Sequence, residues 1–476
     1  MRIVLWDTRQ RHVTKDFAGG FGMGAYHGKG GVRGKLIRRW YTRDQRPTAL
    51  TFAYMAGVFK RLGHAVEYAE DGVPAGADVY VFNPSLPTLD LELEAIRTVR
   101  REQPSARVLI LGAVAYAMPG TFADLGVVVV RGEPEQLLWK LDEALACEAG
   151  VVNVGSVADL DALPFPDWTP FPHRRFRVNY DFTRFPTGLV QQSRGCAYTC
   201  NYCPYILIEN KTRFRSPELI EQEIVEGTAR FGFRSFKFRD PLFGLNRRRM
   251  LDLAERLSRL PKKIQFSIET RIDLVCGESL RALRDAGLTS ITVGIETPSE
   301  TTLKQYLRKP IADDRQRQFI ETCRGLGIRI AAGFMIGFPE DTPESIRKVL
   351  DYAKGLNPTF ANFNIVTPYP STAFFAESSA NVSDVPWQHY DMYTPVMNYD
   401  NLTREQVHDL HAKCFTSYYS RWPYLTANAH LLWPALRKLG AGRRFRRFAD
   451  DPTRALPATR RGAAAGSELT VVNRAA

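Results

Sequence analysis

The chain has 476 residues, of which 44% are hydrophobic and 11% aromatic, too many for one ordinary core and too apolar for wholesale disorder. Its net charge of +13 is concentrated in two stretches, one from Lys29 to Arg46 with seven basic residues against Asp44, the other from Arg437 to Arg447. Such clusters suit phosphates, nucleic acid or anionic headgroups, or simply a solvated face, so charge alone selects no partner. No run approaches eighteen apolar residues, and MRIVLWDTRQRH opens as a strand rather than a leader, so a cytoplasmic protein with no transmembrane segment is expected.

The first 145 residues alternate strand and helix. Strands are predicted at 2–6, 66–70, 79–83, 107–112 and 127–132, with helices at 49–63, 89–102 and 134–146. Continuous apolar strands between amphipathic helices predict a doubly wound parallel sheet, whose ligands sit beyond the carboxyl ends of the strands. After the first strand comes an insertion of about forty residues, opened by AGGFGMGAYHGKGG (18–31), where two to six would suffice. A loop of that length and glycine content is expected to touch a substrate or cofactor, although no phosphate-binding G-x-x-x-x-G-K-[ST] is present.

Residues 151–187 are proline-rich and aperiodic, and are read as a linker. From 188 to 375 a second series follows, with helices at 216–230, 247–259, 278–286, 312–326 and 343–355. Its strands lie at 236–238, 264–269, 290–296, 328–337 and 360–366. This repetition predicts a partial (β/α)6 barrel. Residues 376–448 are expected to be a small helical region, and 449–476 a disordered tail.

Seven cysteines over this length argue against a disulfide framework, and Cys147, Cys276, Cys323 and Cys414 read as buried small hydrophobes. The other three form RGCAYTCNYCPY (194–205), with Cys196, Cys200 and Cys203 spaced C-x3-C-x2-C. A disulfide remnant, a zinc site and an iron–sulfur cluster are the choices. Structural zinc takes four closed ligands, and His173 lies more than twenty residues upstream. A cluster held by three thiolates leaves one iron open to a ligand, which is a catalytic arrangement.

This triplet, with an aromatic before its third cysteine and a barrel after it, resembles the radical S-adenosylmethionine (SAM) superfamily. FRDPLFGLN (238–246), TRID (270–273), VGIETPSE (293–300), GFMIGFPEDTPES (333–345) and TPYPST (367–372) resemble strand-end motifs of one branch of it. That branch carries an amino-terminal, Rossmann-like cobalamin-binding domain, whose end and linker resemble RGEPE (131–135) and LPFPDW (163–168). The resemblance implies a 4Fe–4S cluster on Cys196, Cys200 and Cys203, SAM on its open iron, and cobalamin on residues 1–150. It implies that Tyr202 packs on adenine, that Glu296 takes the polar groups of SAM, and that Arg271 and Asp240 stand where the SAM carboxylate is paired. Gly337 and Pro339 of GFPED would shape the adenine pocket.

The departures are informative. The cobalt-ligating D-x-H-x-x-G is absent from 1–150, and AYHGKG (25–30) has Ala25 in place of the aspartate. His27 is therefore expected to be a surface histidine rather than a lower ligand. A methylthiotransferase would need further cysteines in the first domain, which has only Cys147. The resemblance implies reductive SAM cleavage to a 5′-deoxyadenosyl radical and cobalamin-dependent methylation of an unactivated carbon. A non-methylating cyclase, rearranging or oxidising enzyme is the alternative. Expected partners are a small-molecule or lipid-like substrate and an external reductant such as flavodoxin or ferredoxin, with peripheral membrane contact allowed and nucleic acid not expected.

Overall fold

Runs of buried β-branched and aromatic residues build the first sheet. Its strands are β1 (Arg2–Trp6), β2 (Ala65–Ala69), β3 (Val79–Phe82), β4 (Arg107–Ile110), β5 (Val128–Gly132) and β6 (Gly150–Gly155). All pairs are parallel, in the order β2-β1-β3-β4-β5-β6, so the chain changes direction across the sheet between β1 and β3. The helices are α1 (Gly31–Tyr41), α2 (Leu50–Arg61), α3 (Leu89–Glu102), α4 (Gly112–Ala117) and α5 (Leu137–Ala146). β3 is buried at every position, as a strand covered on both faces must be. The structure, a computed structural model, describes residues 1–10, 13–41, 47–70, 72, 74–208 and 210–429. The expected tail and the second arginine cluster lie outside them.

Two expectations need correction here. The stretch read as a linker begins with β6, an edge strand, and then buries Leu160, Leu163, Trp168, Phe171 and Phe176. The Trp168 ring meets Phe233 edge-on at 5.8 Å, and the Asp167 N–H donates to the Ala53 carbonyl at 2.9 Å, so the segment is core. The cysteines outside the triplet also divide. Cys323 and Cys414 are buried, whereas Cys147 is partly exposed and Cys276 exposed.

The second series opens with β7 (Thr187–Val190), which the sequence reading did not single out, and a short hairpin of β8 (Ser193–Arg194) and β9 (Arg213–Phe214). Then come α6 (Pro217–Arg230), β10 (Ser235–Phe238), α7 (Arg247–Ser258), β11 (Gln265–Thr270), α8 (Gly277–Ala286) and β12 (Leu288–Glu296). The series closes with α9 (Glu300–Gln305), α10 (Asp313–Gly325), β13 (Arg329–Ile336), α11 (Pro343–Leu356) and β14 (Phe360–Ile365). Six parallel strands in the order β7-β10-β11-β12-β13-β14 make the expected partial barrel. Its strands alternate: Phe236, Phe266, Ile291 and Phe334 belong to the buried hydrophobic core, while Lys237, Ser267, Thr292 and Asn362 fall on the opposite, inner face.

The carboxyl-terminal region adds α12 (Ala373–Glu377), α13 (Arg404–Tyr419) and α14 (Trp422–Ala427). The long first loop is a strap rather than a free loop. Lys15 reaches Asp7 at 2.9 Å and Glu92 at 2.5 Å, Tyr26 stacks on Phe415 at 4.2 Å, and Lys29 meets Asp409 at 2.5 Å. No helix among the described residues is long and apolar enough to cross a membrane.

Candidate active site at the cysteine loop

The cysteine loop leaves β7 at Gln191, and its first residues are fastened by Asp240, just after β10. The fully buried Asp240 carboxylate accepts from the N–H of Gln192 at 3.1 Å, the N–H of Ser193 at 2.5 Å and the Ser193 hydroxyl at 2.6 Å. Loss of water at that site pushes the carboxyl up to about 7. Gly195 then turns with φ +80°, where a Cβ would lie 2.4 Å from the Lys211 carbonyl oxygen, so the turn admits only glycine.

Arg194, one residue earlier, is gripped by the first sheet. Its guanidinium forks onto Glu135 at 2.7 and 3.1 Å and lies 3.5 Å from Glu133. Glu133 accepts a second fork from Arg213, at 2.8 Å to each oxygen. Arg194 and Arg213 are partners in the hairpin, so the RGEPE segment clamps both its strands through buried, bidentate pairs.

Cys200 is buried and Cys196 and Cys203 are partly buried, and the Cys203 N–H donates to the Cys200 carbonyl at 3.1 Å. No cysteine among the described residues is in a disulfide. Burial raises the Cys196 thiol above its ordinary value and pushes Cys203 up to about 12. Such thiols ionise only against compensating positive charge. No trio of His, Cys, Asp or Glu among the described residues converges as ligands of one ion would. Thiolates bound to separate irons of a cluster need no common point.

Positive charge is at hand. Arg308 donates to the Gly294 carbonyl at 2.7 Å and pairs with Glu296 at 3.2 Å. Glu296 ends β12 in the left-handed region, at φ +68°, where the register with β13 shifts, and its carboxyl is raised by burial. Arg271 lies over the Tyr198 ring at 4.4 Å. It spends Nε and Nη2 on Asp273 and the Lys309 carbonyl, while its buried Nη1 has no partner. The Tyr202 hydroxyl is likewise buried without a partner, and its ring faces Tyr306 at 6.5 Å. Tyr306 meets Phe338 at 4.6 Å. Gly337 and Phe338 donate their N–H groups to Asp341 at 2.7 and 3.0 Å, and the Pro339 carbonyl accepts from Asp400 at 2.9 Å. Arg271 thus covers Tyr198 of the cysteine loop, Tyr202 of that loop reaches the Gly337–Pro339 turn only through Tyr306 and Phe338, and Asp240 holds the loop up through its backbone.

A cavity of about 190 Å³ adjoins the loop. Gly19, Gly20, Glu133 and Glu135 wall it from strand ends of the first sheet, and Gly195, Pro204 and Tyr205 from the cysteine loop. Strap and cysteine loop are in close contact, since a Cβ on Gly19 would lie 2.7 Å from the Pro204 carbonyl oxygen. His27, by contrast, points at Asp391 and Thr394, 3.2 Å from each, and is largely buried. The surface position expected of it is corrected by this packing.

Residues 190–353 match the model of the radical SAM superfamily. The chain carries a radical SAM domain. Over 268 residues it is 28% identical to an uncharacterized methyltransferase of Pyrococcus horikoshii, covering 56% of this chain and 57% of that protein. Over 398 residues it is 23% identical to the anaerobic magnesium-protoporphyrin IX monomethyl ester cyclase of Cereibacter sphaeroides, covering 75% and 64%. The chain therefore spans less than two thirds of the length of either relative. The fold is that of the radical SAM methyltransferase TsrM of Kitasatospora setae, solved with cobalamin and a [4Fe-4S] cluster bound. The TM-score is 0.58 at 17% identity, over 81% of this chain and 79% of that one.

Arg308 and the Arg194–Glu135 clamp escaped the sequence reading of the radical SAM domain. Arg308 sits in TTLKQYLRK (301–309), which reads as an ordinary surface helix end. Only the fold brings it back over Gly294.

Proposed function

We propose that the chain is a radical SAM enzyme that methylates an unactivated carbon with the help of cobalamin. The observation that carries this reading is the grouping of Cys196, Cys200 and Cys203 in one loop whose Gly195, Pro204 and Tyr205 wall a cavity shared with the strap and the first sheet, with the unpartnered Arg271 Nη1 on the guanidinium that covers Tyr198 of that loop. When bound, a 4Fe–4S cluster on Cys196, Cys200 and Cys203 supplies the electron that cleaves SAM, and cobalamin the methyl carrier. Glu296 would hold the SAM ammonium, Arg271 Nη1 its carboxylate, and Tyr202 with the Gly337–Pro339 turn its adenine. The glycines of the strap and the Glu133–Glu135 loop suit close approach of a large flat ligand to the backbone.

The inner face of the barrel favours a substrate with hydrogen-bonding groups. The Tyr393 hydroxyl donates to Asn362 Oδ1 at 2.8 Å, and Asn362 Nδ2 donates to Asn364 Oδ1 at 2.7 Å. That polarity leaves the Asn364 amide N–H groups as donors toward the lumen, where Gly294 and Gly333 leave room.

The alternative, a radical enzyme without methyl transfer, draws support from His27, which is engaged with Asp391 and Thr394 and is the one histidine among the described residues of the first loop. Anaerobic reconstitution with iron, sulfide and hydroxocobalamin, then desalting and metal analysis, separates the two. Cobalt near one per chain beside about four irons supports methylation. Iron without cobalt replaces it by the alternative, and absence of both overturns both readings.

A further inference from the structure

Helix α1 is moored to the body along one face and bare along the other. The chain leading into it is tied to α13: Tyr26 stacks on Phe415, Lys29 meets Asp409 at 2.5 Å, and a Cβ on Gly30 would lie 2.7 Å from Thr416 Cγ2. Within the helix Gly34 and Ile37 are buried, and Arg38 turns back to the strap, donating to the His27 carbonyl at 3.5 Å. Away from that face Val32 is 74% exposed and Leu36 57%. Apolar residues scattered singly over a surface are ordinary, but residues four apart on a helix adjoin, so these two form one ridge. At about 100° per residue, the exposed Lys35 and Arg39 flank the ridge on one side and the exposed Arg33 on the other. No Asp or Glu occurs from residue 17 to residue 43, so the helix carries cations only.

We propose that α1 docks the protein on an anionic lipid bilayer, with Val32 and Leu36 set into the boundary between headgroups and acyl chains, and Arg33, Lys35 and Arg39 at the level of the lipid phosphates. Two features choose this partner. A helix bearing cations and no acid is complementary to a negative surface, whether of lipid or of nucleic acid. The ridge then decides between them. Against a nucleic acid backbone Val32 and Leu36 would stay in water, since the attraction there is to phosphates alone. In the headgroup region they leave water, while the long lysine and arginine stems carry their charges back out to it. Eleven residues span only about 16 Å, too short to cross a bilayer, so the helix lies in the plane of the surface. Its mooring on α13 forms it before contact, so docking is not opposed by the entropy of ordering it. Nothing in this docking requires the cluster or SAM, so it stands apart from the proposed reaction.

The test is sedimentation of the full-length chain with vesicles of phosphatidylcholine alone and of equal parts phosphatidylcholine and phosphatidylglycerol. Binding is expected to the second kind only, and it should weaken as salt shortens the screening length. Lys35→Gln with Arg39→Gln should lower the partition constant about thirtyfold. Val32→Ser with Leu36→Ser, which keeps every charge, should lower it about tenfold or more. All four side chains are exposed, so circular dichroism should be the same in both variants as in wild type; if a pair alters it, Lys35→Gln and Leu36→Ser alone decide by the same criteria. Failure of wild type to sediment with the anionic vesicles would overturn the proposal. So would binding that survives both pairs of substitutions, which would place the lipid contact elsewhere on the chain. Loss in the cationic pair with full retention in the apolar pair would overturn it too, because the ridge would then play no part. A DNA duplex that displaces the vesicles from wild type and binds the serine pair equally well would make nucleic acid the partner instead.

Discussion

The two sheets of this chain are both six-stranded and parallel, yet they present chemistry in different ways. The first buries its central strands on both faces, down to the fully buried VYVF of β3, so there it can hold a ligand only at its strand ends. The second keeps its apolar residues for the helices and lines its interior with Lys237, Ser267, Thr292 and Asn362. It can therefore work both at its strand ends and in its lumen. A flat sheet offers an edge, and a curled one offers an edge and an inside. The clamp from Glu133 and Glu135 to Arg213 and Arg194 brings the two edges to the same loop.

The sharpest way to break the comparison is to disable one edge alone. Cys200→Ala should reduce bound iron to background and abolish 5′-deoxyadenosine formation. The helical signal of the first sheet's α-helices in circular dichroism should remain. Normal SAM cleavage in this variant would contradict the proposed site. Glu296→Ala should act more narrowly, weakening SAM binding by tenfold or more with iron content unchanged, as read by equilibrium binding to the reconstituted protein.

The clamp can be broken next. Glu135→Ala leaves the Arg194 guanidinium, 12% exposed, without its fork. With Glu133 at 3.5 Å still facing the guanidinium, loss of these charge-assisted bonds should cost about 1.5–3 kcal/mol, measured by urea unfolding of the apo-protein. Removing both charges together, as Glu135→Leu with Arg194→Met, should cost much less. Equal losses in the single and double variants would show that the pair does not act as a unit.

Much of this was legible in the sequence, for physical reasons that can be named. Continuous apolar runs and helical periodicity located β3, β5, α3 and α11, because burial on two faces or along one stripe leaves an unambiguous pattern. The triplet was legible because three cysteines in eight positions have few uses. β6 was not, since an edge strand such as GVVNVG is exposed at alternate positions and bounded by glycines. The proline-rich stretch around Trp168 resembled a linker because its backbone follows no period, although its side chains enter the core. Arg308 carries no local signal at all: its role exists only where the turn after α9 returns it to Gly294.

The alternation of the barrel gives a prediction of intermediate size. Phe266 and Ser267 are adjacent on β11 and both fully buried, but they face opposite ways. Phe266→Ala should cost about 3–5 kcal/mol through the cavity it leaves against the helices. The Ser267 hydroxyl has no hydrogen-bond partner, so Ser267→Ala should be neutral or slightly stabilising. Similar losses at both positions in chemical denaturation would mean that the lumen is packed like the outer face.

The smallest expected effect concerns the footings of the two regions. Asp240, under the cysteine loop, has its carboxyl raised to about 7, whereas His408 and His411, beside the strap, are lowered by burial to about 4 and about 3. The signs oppose. A raised carboxyl binds a proton in the folded state that the unfolded chain has already lost, so its stabilisation is present at low pH and fades as pH rises through about 7. The lowered histidines stay neutral when folded and charge when unfolded, so their stabilisation is lost as pH falls below the ordinary histidine value. Between about pH 5 and pH 6.5 the Asp240 contribution masks part of the acid sensitivity of the histidines. Asp240→Asn should remove the mask. The variant's stability should then rise with pH more steeply than that of wild type, by up to about 1.4 kcal/mol per pH unit, and the two slopes should converge above pH 8. A difference between variant and wild type that stays constant from pH 5 to pH 8 would mean that Asp240 is ionised in the folded protein. The loop would then be fastened by a charge, and the cysteine edge would depend on pH in the same sense as the strap.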